Sequence, residues 1–273
     1  MVLEAIAVIS RRSPWAKRTL YWIGYQSLAV LYPKFDWPFM NYGFAELDPH
    51  AIQPRLSTAD EKDRLYIQLY DHVVKAIDLT GLDVLEVGCG RGGGSAYIAR
   101  YLAPRSVIGV DFSQNAIAFC RRRHPVAALT FLHADAEALP FPANTFDVVV
   151  NVESSHCYGS IERFLAEVAR VLRPEGHLLF ADFRETRVLA TLREQVRASG
   201  FEILSEKSIR LNVLAALEAD EDRKRALLQR VVPRLLRRQI RQFAGMRGTY
   251  MYEALRDGRI EYFSWLLGKP GIG

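Results

Sequence analysis

The stretch Val84–Tyr97, VLEVGCGRGGGSAY, constrains this chain more than any other part of it. Val84, Leu85, Glu86 and Val87 form a short run of branched and aliphatic residues, the pattern of a buried parallel strand. Gly88, Gly90, Gly92, Gly93 and Gly94 come next, and Ser95–Leu102 then reads as helix. Strand, glycine turn and helix together place a ligand at the carboxyl edge of a sheet and against a helix N-terminus. A side chain within the turn would keep that ligand from the backbone amides.

The spacing Gly88-x-Gly90-x-x-Gly93 also fits a dinucleotide turn, so the turn alone does not choose the nucleotide. Glu86 narrows the choice, because a dinucleotide dehydrogenase usually keeps an apolar residue inside this strand. A second strand, Ser106–Asp111, ends on an acid suited to a ribose diol. A third, Leu129–Ala134, runs into Asp135, Ala136 and Glu137, a loop suited to an adenine amino group. Phe146–Asn151, His177–Phe183, Phe201–Ser208 and Arg259–Leu267 read as the remaining strands. The helices between them are Ser113–Arg123, capped by Ser113, then Ile161–Leu172, Glu185–Ser199 and a short one near Tyr250–Leu255. This alternation predicts an α/β fold with a doubly wound, mostly parallel seven-stranded sheet. The expected organisation is a helical cap over 1–80, a nucleotide-binding core over 81–209, a helical lid inserted at 210–248, and the last helix and strand over 249–273.

With ExGCGxGG, the acid-ended second strand, DAExLPFPxxxFDVVV and VLRPxG in order, residues 60–183 resemble the class I S-adenosylmethionine (SAM)-dependent methyltransferases. Met40-Asn41-Tyr42-Gly43, Cys89–Gly94 and Asn151–Tyr158 narrow this to a resemblance with the phthiotriol dimycocerosate and natural-product O-methyltransferases. The resemblance implies a Rossmann-like fold, SAM as cofactor and S-adenosylhomocysteine (SAH) as product. The acceptor it implies is a hydroxyl or enol oxygen of an apolar small molecule, a polyketide or lipid-like secondary metabolite. It implies cofactor contacts from Asn41, Tyr42, Glu86, Gly88, Gly90, Asp111, Phe112, Asp135, Ala136, Glu137 and Asn151, with Asn41–Gly43 folding over the cofactor. Other readings stay open: a relative that binds SAM without methylating, as a cyclase does, or a C- or N-methyltransferase of similar metabolites. A nucleotide-dependent oxidoreductase is disfavoured by Glu86 and by the DAExLPFP block.

Displacement at a sulfonium methyl asks the protein mainly to orient donor and acceptor and to exclude water. An alcohol acceptor must also lose a proton, which calls for a base. The segment after the fourth strand offers His156, whose ordinary pKa near 6.5 suits that task. Glu153 is the second candidate, as a buried carboxylate with a raised pKa. His133 lies in a strand and His124 at a helix end, so neither is favoured. In the helix expected to start near Thr58 or Asp60 and run to Ile77, Tyr66 and Tyr70 read as core aromatics rather than cofactor contacts.

At 273 residues, 49% hydrophobic and 25% charged, the chain suits one large domain with additions. Its net charge of +5 does not imply nucleic acid, and Asn151–Ser154 lacks the (D/N/S)PP(Y/F) motif of amino-methyltransferases. Cys89, Cys120 and Cys157 lack paired spacing and read as reduced thiols of a cytoplasmic protein. No metal-ligand spacing occurs, so no metal is expected. Val2–Ile9 is too short to span a bilayer. Trp15–Tyr32 reads as a helix packed on the domain, a lid, or a helix lying on a membrane. In Arg210–Gly248, arginines interleave with leucines and valines, and Pro233 should kink the segment or split it into two helices. That basic face is a solvated lid surface, or one drawn to anionic lipid or an acidic carrier protein. Nothing in the sequence favours one oligomeric state.

Overall fold

The computed structural model describes residues 37–271, so the expectations for Val2–Ile9 and Trp15–Tyr32 lie outside the described residues. The strands are β1 (Asp83–Val87), β2 (Ser106–Asp111), β3 (Leu129–His133), β4 (Phe146–Val152), β5 (Leu172–Glu185), β6 (Glu202–Ser208) and β7 (Ile260–Gly268). They form one seven-stranded sheet in the order β3-β2-β1-β4-β5-β7-β6. Strands β1 to β5 run parallel, and β7 lies antiparallel between β5 and β6. The expected doubly wound sheet is present.

Side chains alternate across the strands, and the two faces bury separate cores. Val84, Val107, Val148, Leu179 and Tyr262 face α1 (Arg64–Val74), α2 (Gly93–Tyr101), α6 (Arg210–Ala219) and α9 (Tyr250–Arg256). Between α2 and α6 in the chain come α3 (Gln114–Arg123), α4 (Ile161–Val171) and α5 (Leu189–Ala198). Leu85, Val149, Leu178 and Phe263 face α4 and α5 on the other side. Side-chain caps set the helix starts: Ser113 accepts the Ala116 amide and Ser160 the Arg163 amide. Helix α4 then lays Phe164, Leu165, Val168 and Val171 on one fully buried stripe.

Three local expectations differ. The fifth strand begins at Leu172 rather than His177, because a register irregularity between Phe146 and Val148 absorbs the VLRPEG segment, with Glu175 at φ 63°. Helix α1 is entered through a 3₁₀ turn, Glu61–Asp63, and ends at Val74. Asp60 caps nothing there; its carboxylate instead holds Arg100 at 2.9 Å and the Tyr101 hydroxyl at 2.5 Å. The insertion contains three helices rather than two: α6, α7 (Glu221–Val231) and, after Pro233 and a 3₁₀ turn, α8 (Arg237–Phe243). The additional break falls at Asp220, whose carboxylate accepts the Tyr66 hydroxyl of α1 at 2.6 Å and Arg223 Nε at 2.5 Å. Because β7 reverses direction, the insertion leaves and rejoins the sheet at the edge where β1, β2 and β4 end. Among the described residues no helix is long and apolar enough to cross a membrane.

Candidate active site

At that carboxyl edge lies a cavity of about 810 Å³. It is walled by Gly88, Gly90, Asp111, Phe112, Asp135, Ala136 and Glu137 of the sheet edge and by Leu227, Leu228, Val231 and Phe243 of α7 and α8. Asn41, Glu153, Ser154, Cys157 and Tyr158 line it as well, as do Tyr66 and Tyr70 of α1. The two tyrosines are buried, as expected of core aromatics, but they also form wall, which their position beside the apolar stripe did not reveal.

The glycine turn is built from left-handed backbone, with φ of 78° at Gly88 and 54° at Gly90. A Cβ on Gly88 would run into the Ser154 and Tyr158 side chains. One on Gly90 would meet, among the described residues, only Met40 Sδ, at 3.5 Å, so what glycine keeps clear there is cavity. Gly90 N–H donates to Asp111 Oδ2 at 2.9 Å and Ser113 N–H to Oδ1 at 2.8 Å, so the acid ending β2 shapes the turn beside it. Burial pushes the Asp111 carboxyl up to about 6, a group still short of charge-stabilising partners. Phe112 is next, 41% exposed, with its ring tilted against His133. In the third loop, Asp135 Oδ1 accepts the Glu137 amide at 3.0 Å. Glu137 itself accepts the Gly159 amide at 2.7 Å and pairs with Arg163 at 2.6 Å, which pins the loop after β4.

Glu86 and Asn151 stand behind this wall. Glu86 is fully buried, accepts from Tyr70 Oη at 2.7 Å and from Ser95 Oγ, and burial raises its carboxyl. It fixes a wall residue from behind. Asn151 Nδ2 donates to Val87 O at 2.9 Å and reaches Ser154 Oγ at 2.8 Å, bracing β4 against β1 at the turn. Tyr42 is outside the wall too, but its amide donates to Glu153 Oε1 at 2.7 Å, so the Asn41–Gly43 segment does fold onto the site.

The two candidate bases differ in surroundings. Glu153 sits just past β4 at φ 46°, a left-handed backbone rarely adopted by a glutamate. Its Oε1 takes both the Tyr42 amide and the Tyr262 hydroxyl, the latter at 2.6 Å, while the residue lines the cavity. Burial pushes its carboxyl up to about 7. His156 stands outside the cavity wall, its ring 4.3 Å from that of Phe183. Its Nδ1 is 2.8 Å from Asp182 Oδ1, and its amide donates to Asp182 Oδ2 at 3.0 Å. Burial alone would depress the imidazole, but Cys157 and Asp182 outweigh it and raise its pKa to about 10. The pairing with Asp182 favours the imidazolium over the neutral ring that a proton acceptor needs. Asp182, on β5, is fully buried, and although burial opposes its ionisation, Arg184 and His156 hold it well below the usual carboxylate range. It escaped the sequence reading, although an acid inside an apolar strand was the same signal that drew notice to Glu86. Among the described residues no group of three or more His, Cys, Asp or Glu could hold a metal.

The chain matches the model of a methyltransferase domain over residues 85–180. It is 41% identical to a fatty-acid O-methyltransferase of Mycolicibacterium smegmatis, over 86% of this chain and 84% of that protein. It is also 41% identical to a phthiotriol/phenolphthiotriol dimycocerosates methyltransferase of Mycobacterium tuberculosis, over 82% of each. Among solved structures, a geranyl diphosphate C-methyltransferase from Streptomyces coelicolor, with Mg²⁺, geranyl diphosphate and S-adenosylhomocysteine bound, superposes with a TM-score of 0.63. That pair shares 16% identity over 90% of this chain and 97% of the other, a likeness of fold.

Proposed function

The chain belongs to the SAM-dependent methyltransferases, in the branch that holds the fatty-acid O-methyltransferase and the phthiotriol dimycocerosate enzymes, and on that premise we propose that it methylates an oxygen of a lipid-like, apolar acceptor. One observation carries the acceptor class. A single cavity is lined both by the glycine turn with the acid-ended strands and by Leu227, Leu228 and Val231 of α7.

The residues present fit the cofactor. Gly90 keeps clear cavity rather than packed protein. Asp111 faces the cavity with a carboxyl that burial has left ready for further donors, and it would hold the ribose. Asp135 and Ala136, with Phe112 nearby, would receive the adenine, and the Gly88–Gly90 turn with Asn41 the amino-acid end. When bound, SAM supplies an electrophilic sulfonium methyl. The chain's own part is to orient the acceptor oxygen, keep water out and take a proton where the acceptor is an alcohol.

Glu153 is the proposed proton acceptor. It lines the cavity, its two donors both land on Oε1, and a carboxyl near 7 is ionised for much of the neutral range. His156, held as imidazolium against Asp182, is the proposed positioning group: its charge lies close enough to Glu153 to favour the carboxylate form. The insertion, residues 210–248, serves as a lid over the acceptor end. The exposed side chains of Arg234, Leu235, Arg238 and Arg241 on its outer face support attraction to an anionic lipid surface, where such an acceptor would be met.

The reading is tested with methyl-labelled SAM and a panel of long-chain alcohols, enols and acids. Label in an O-methyl product, with one SAH formed per product, is the expected result. Conversion of an acceptor without SAH would identify a non-methylating use of the same fold, and label on carbon or nitrogen would move the reaction class.

A further inference from the structure

Lys224 lies on the cavity wall with its side chain only 11% exposed. An ammonium has three hydrogens to donate. One reaches Ala244 O at 3.2 Å. The nearest carboxylate, Asp220, is 3.7 Å away, and it is already taken by the Tyr66 hydroxyl at 2.6 Å and Arg223 Nε at 2.5 Å. Among the described residues the charge is therefore buried without an anionic partner at hydrogen-bonding distance, a costly arrangement unless something else supplies one. Burial accordingly lowers the Lys224 pKa, although Asp220, Glu153 and Glu221 pull the other way.

The chemistry of that partner can be read from the helix itself. Leu227, Leu228 and Val231 stand three, four and seven positions beyond Lys224 on α7, which sets them on the same face, and all of them line the cavity with it. The stripe presents a cation first and then a run of apolar side chains. A ligand matched to it has an anionic head and a hydrocarbon tail. Arg230, also on the wall, is exposed, so water already serves its charge. Arg223 is bound to Asp220 and to Tyr66 Oη at 2.8 Å, so among the α7 cations on the wall Lys224 is the one that a ligand would satisfy.

We propose that Lys224 binds the carboxylate of an amphiphilic acid, the acceptor, whose alkyl chain lies along Leu227, Leu228 and Val231. The proposal rests on the functional reading only in treating this end of the cavity as the acceptor's. A carboxylate is also present on the amino-acid end of SAM and SAH, and the test separates the two sources.

The test is calorimetry on the full chain. Dodecanoate and dodecanol are titrated with and without saturating SAH, and SAH is titrated alone, for the wild type and for Lys224→Met. The expected result is that wild type prefers dodecanoate over dodecanol by about tenfold or more, the size of a charge-assisted hydrogen bond. Lys224→Met should erase that preference while changing SAH affinity less than about threefold. Absence of the preference in wild type overturns the proposal without any variant, as does a preference that survives in Lys224→Met. A loss of SAH affinity in Lys224→Met with dodecanoate binding unchanged also overturns it and assigns the cation to the cofactor's carboxylate. Failure of SAH to bind wild type, with the dodecanoate preference intact, would count against the cofactor reading and leave this one standing.

Discussion

Glu153 combines a left-handed backbone, burial, and two donors on a single oxygen. Strain of that kind persists only where the surroundings over-determine it, and here Tyr42 from one side and Tyr262 from the other do so. Its carboxyl near 7 sets the sign of the pH dependence: the accepting form is the ionised one, so kcat on an alcohol acceptor should rise as pH passes upward through about 7. Glu153→Gln should remove that limb and lower kcat by about 10²-fold or more, with SAH affinity nearly unchanged by calorimetry. His156→Gln should keep the limb but move it to higher pH, because it removes the charge that favours the Glu153 carboxylate. If the limb disappears with His156→Gln and survives Glu153→Gln, the proton goes to the histidine. Both residues were legible from their position just past an apolar strand. Asp182 was not, because its role depends on the pairing that sets Val152 beside Ala181 across β4 and β5, which brings the His156 turn onto it.

The β1 turn and the end of β2 act as one unit, since Asp111 accepts an amide from each of the segments that flank it. Asp111→Ala should weaken SAH binding by tenfold or more, each charge-assisted hydrogen bond contributing about 1.5–3 kcal/mol. Unchanged SAH affinity in that variant would remove Asp111 from the cofactor site. This half of the fold could be read in advance because its determinants are local: glycines where a side chain would collide, acids where strands stop, serines where helices start. The insertion was read less well for the converse reason. Pro233 announces its break within the sequence, whereas Asp220 is an ordinary helix residue until Tyr66, 154 positions away, donates to it. Glu86 stood out as an acid within its strand and Asn151 came from the resemblance, yet their neighbours put both behind the wall, where they hold Tyr70 and the β4 turn in place.

The glycine turn and acid-ended strands of the sheet line one cavity together with the α7–α8 pair, the proposed cover of its acceptor end. If that pair works as a lid, amide exchange across residues 221–243 should slow when SAH and an acceptor are both present, by more than with SAH alone. Slowing confined to the glycine turn would count against a lid. The antiparallel β7 has a further consequence. Since β6 runs with β5 and β7 against both, residues 210–248 form a detour that starts and finishes on one rim of the sheet, and no strand pairing depends on its length or composition. We expect the part beyond α6, which packs largely on itself, to behave as an exchangeable cassette: substrate range could drift by rewriting one continuous stretch of gene while α6 and the sheet keep their core. Transplanting the corresponding stretch from a relative with a different acceptor should move acceptor preference and leave SAH affinity within a few-fold of its starting value, provided the anchor between Tyr66 and Asp220 is carried along.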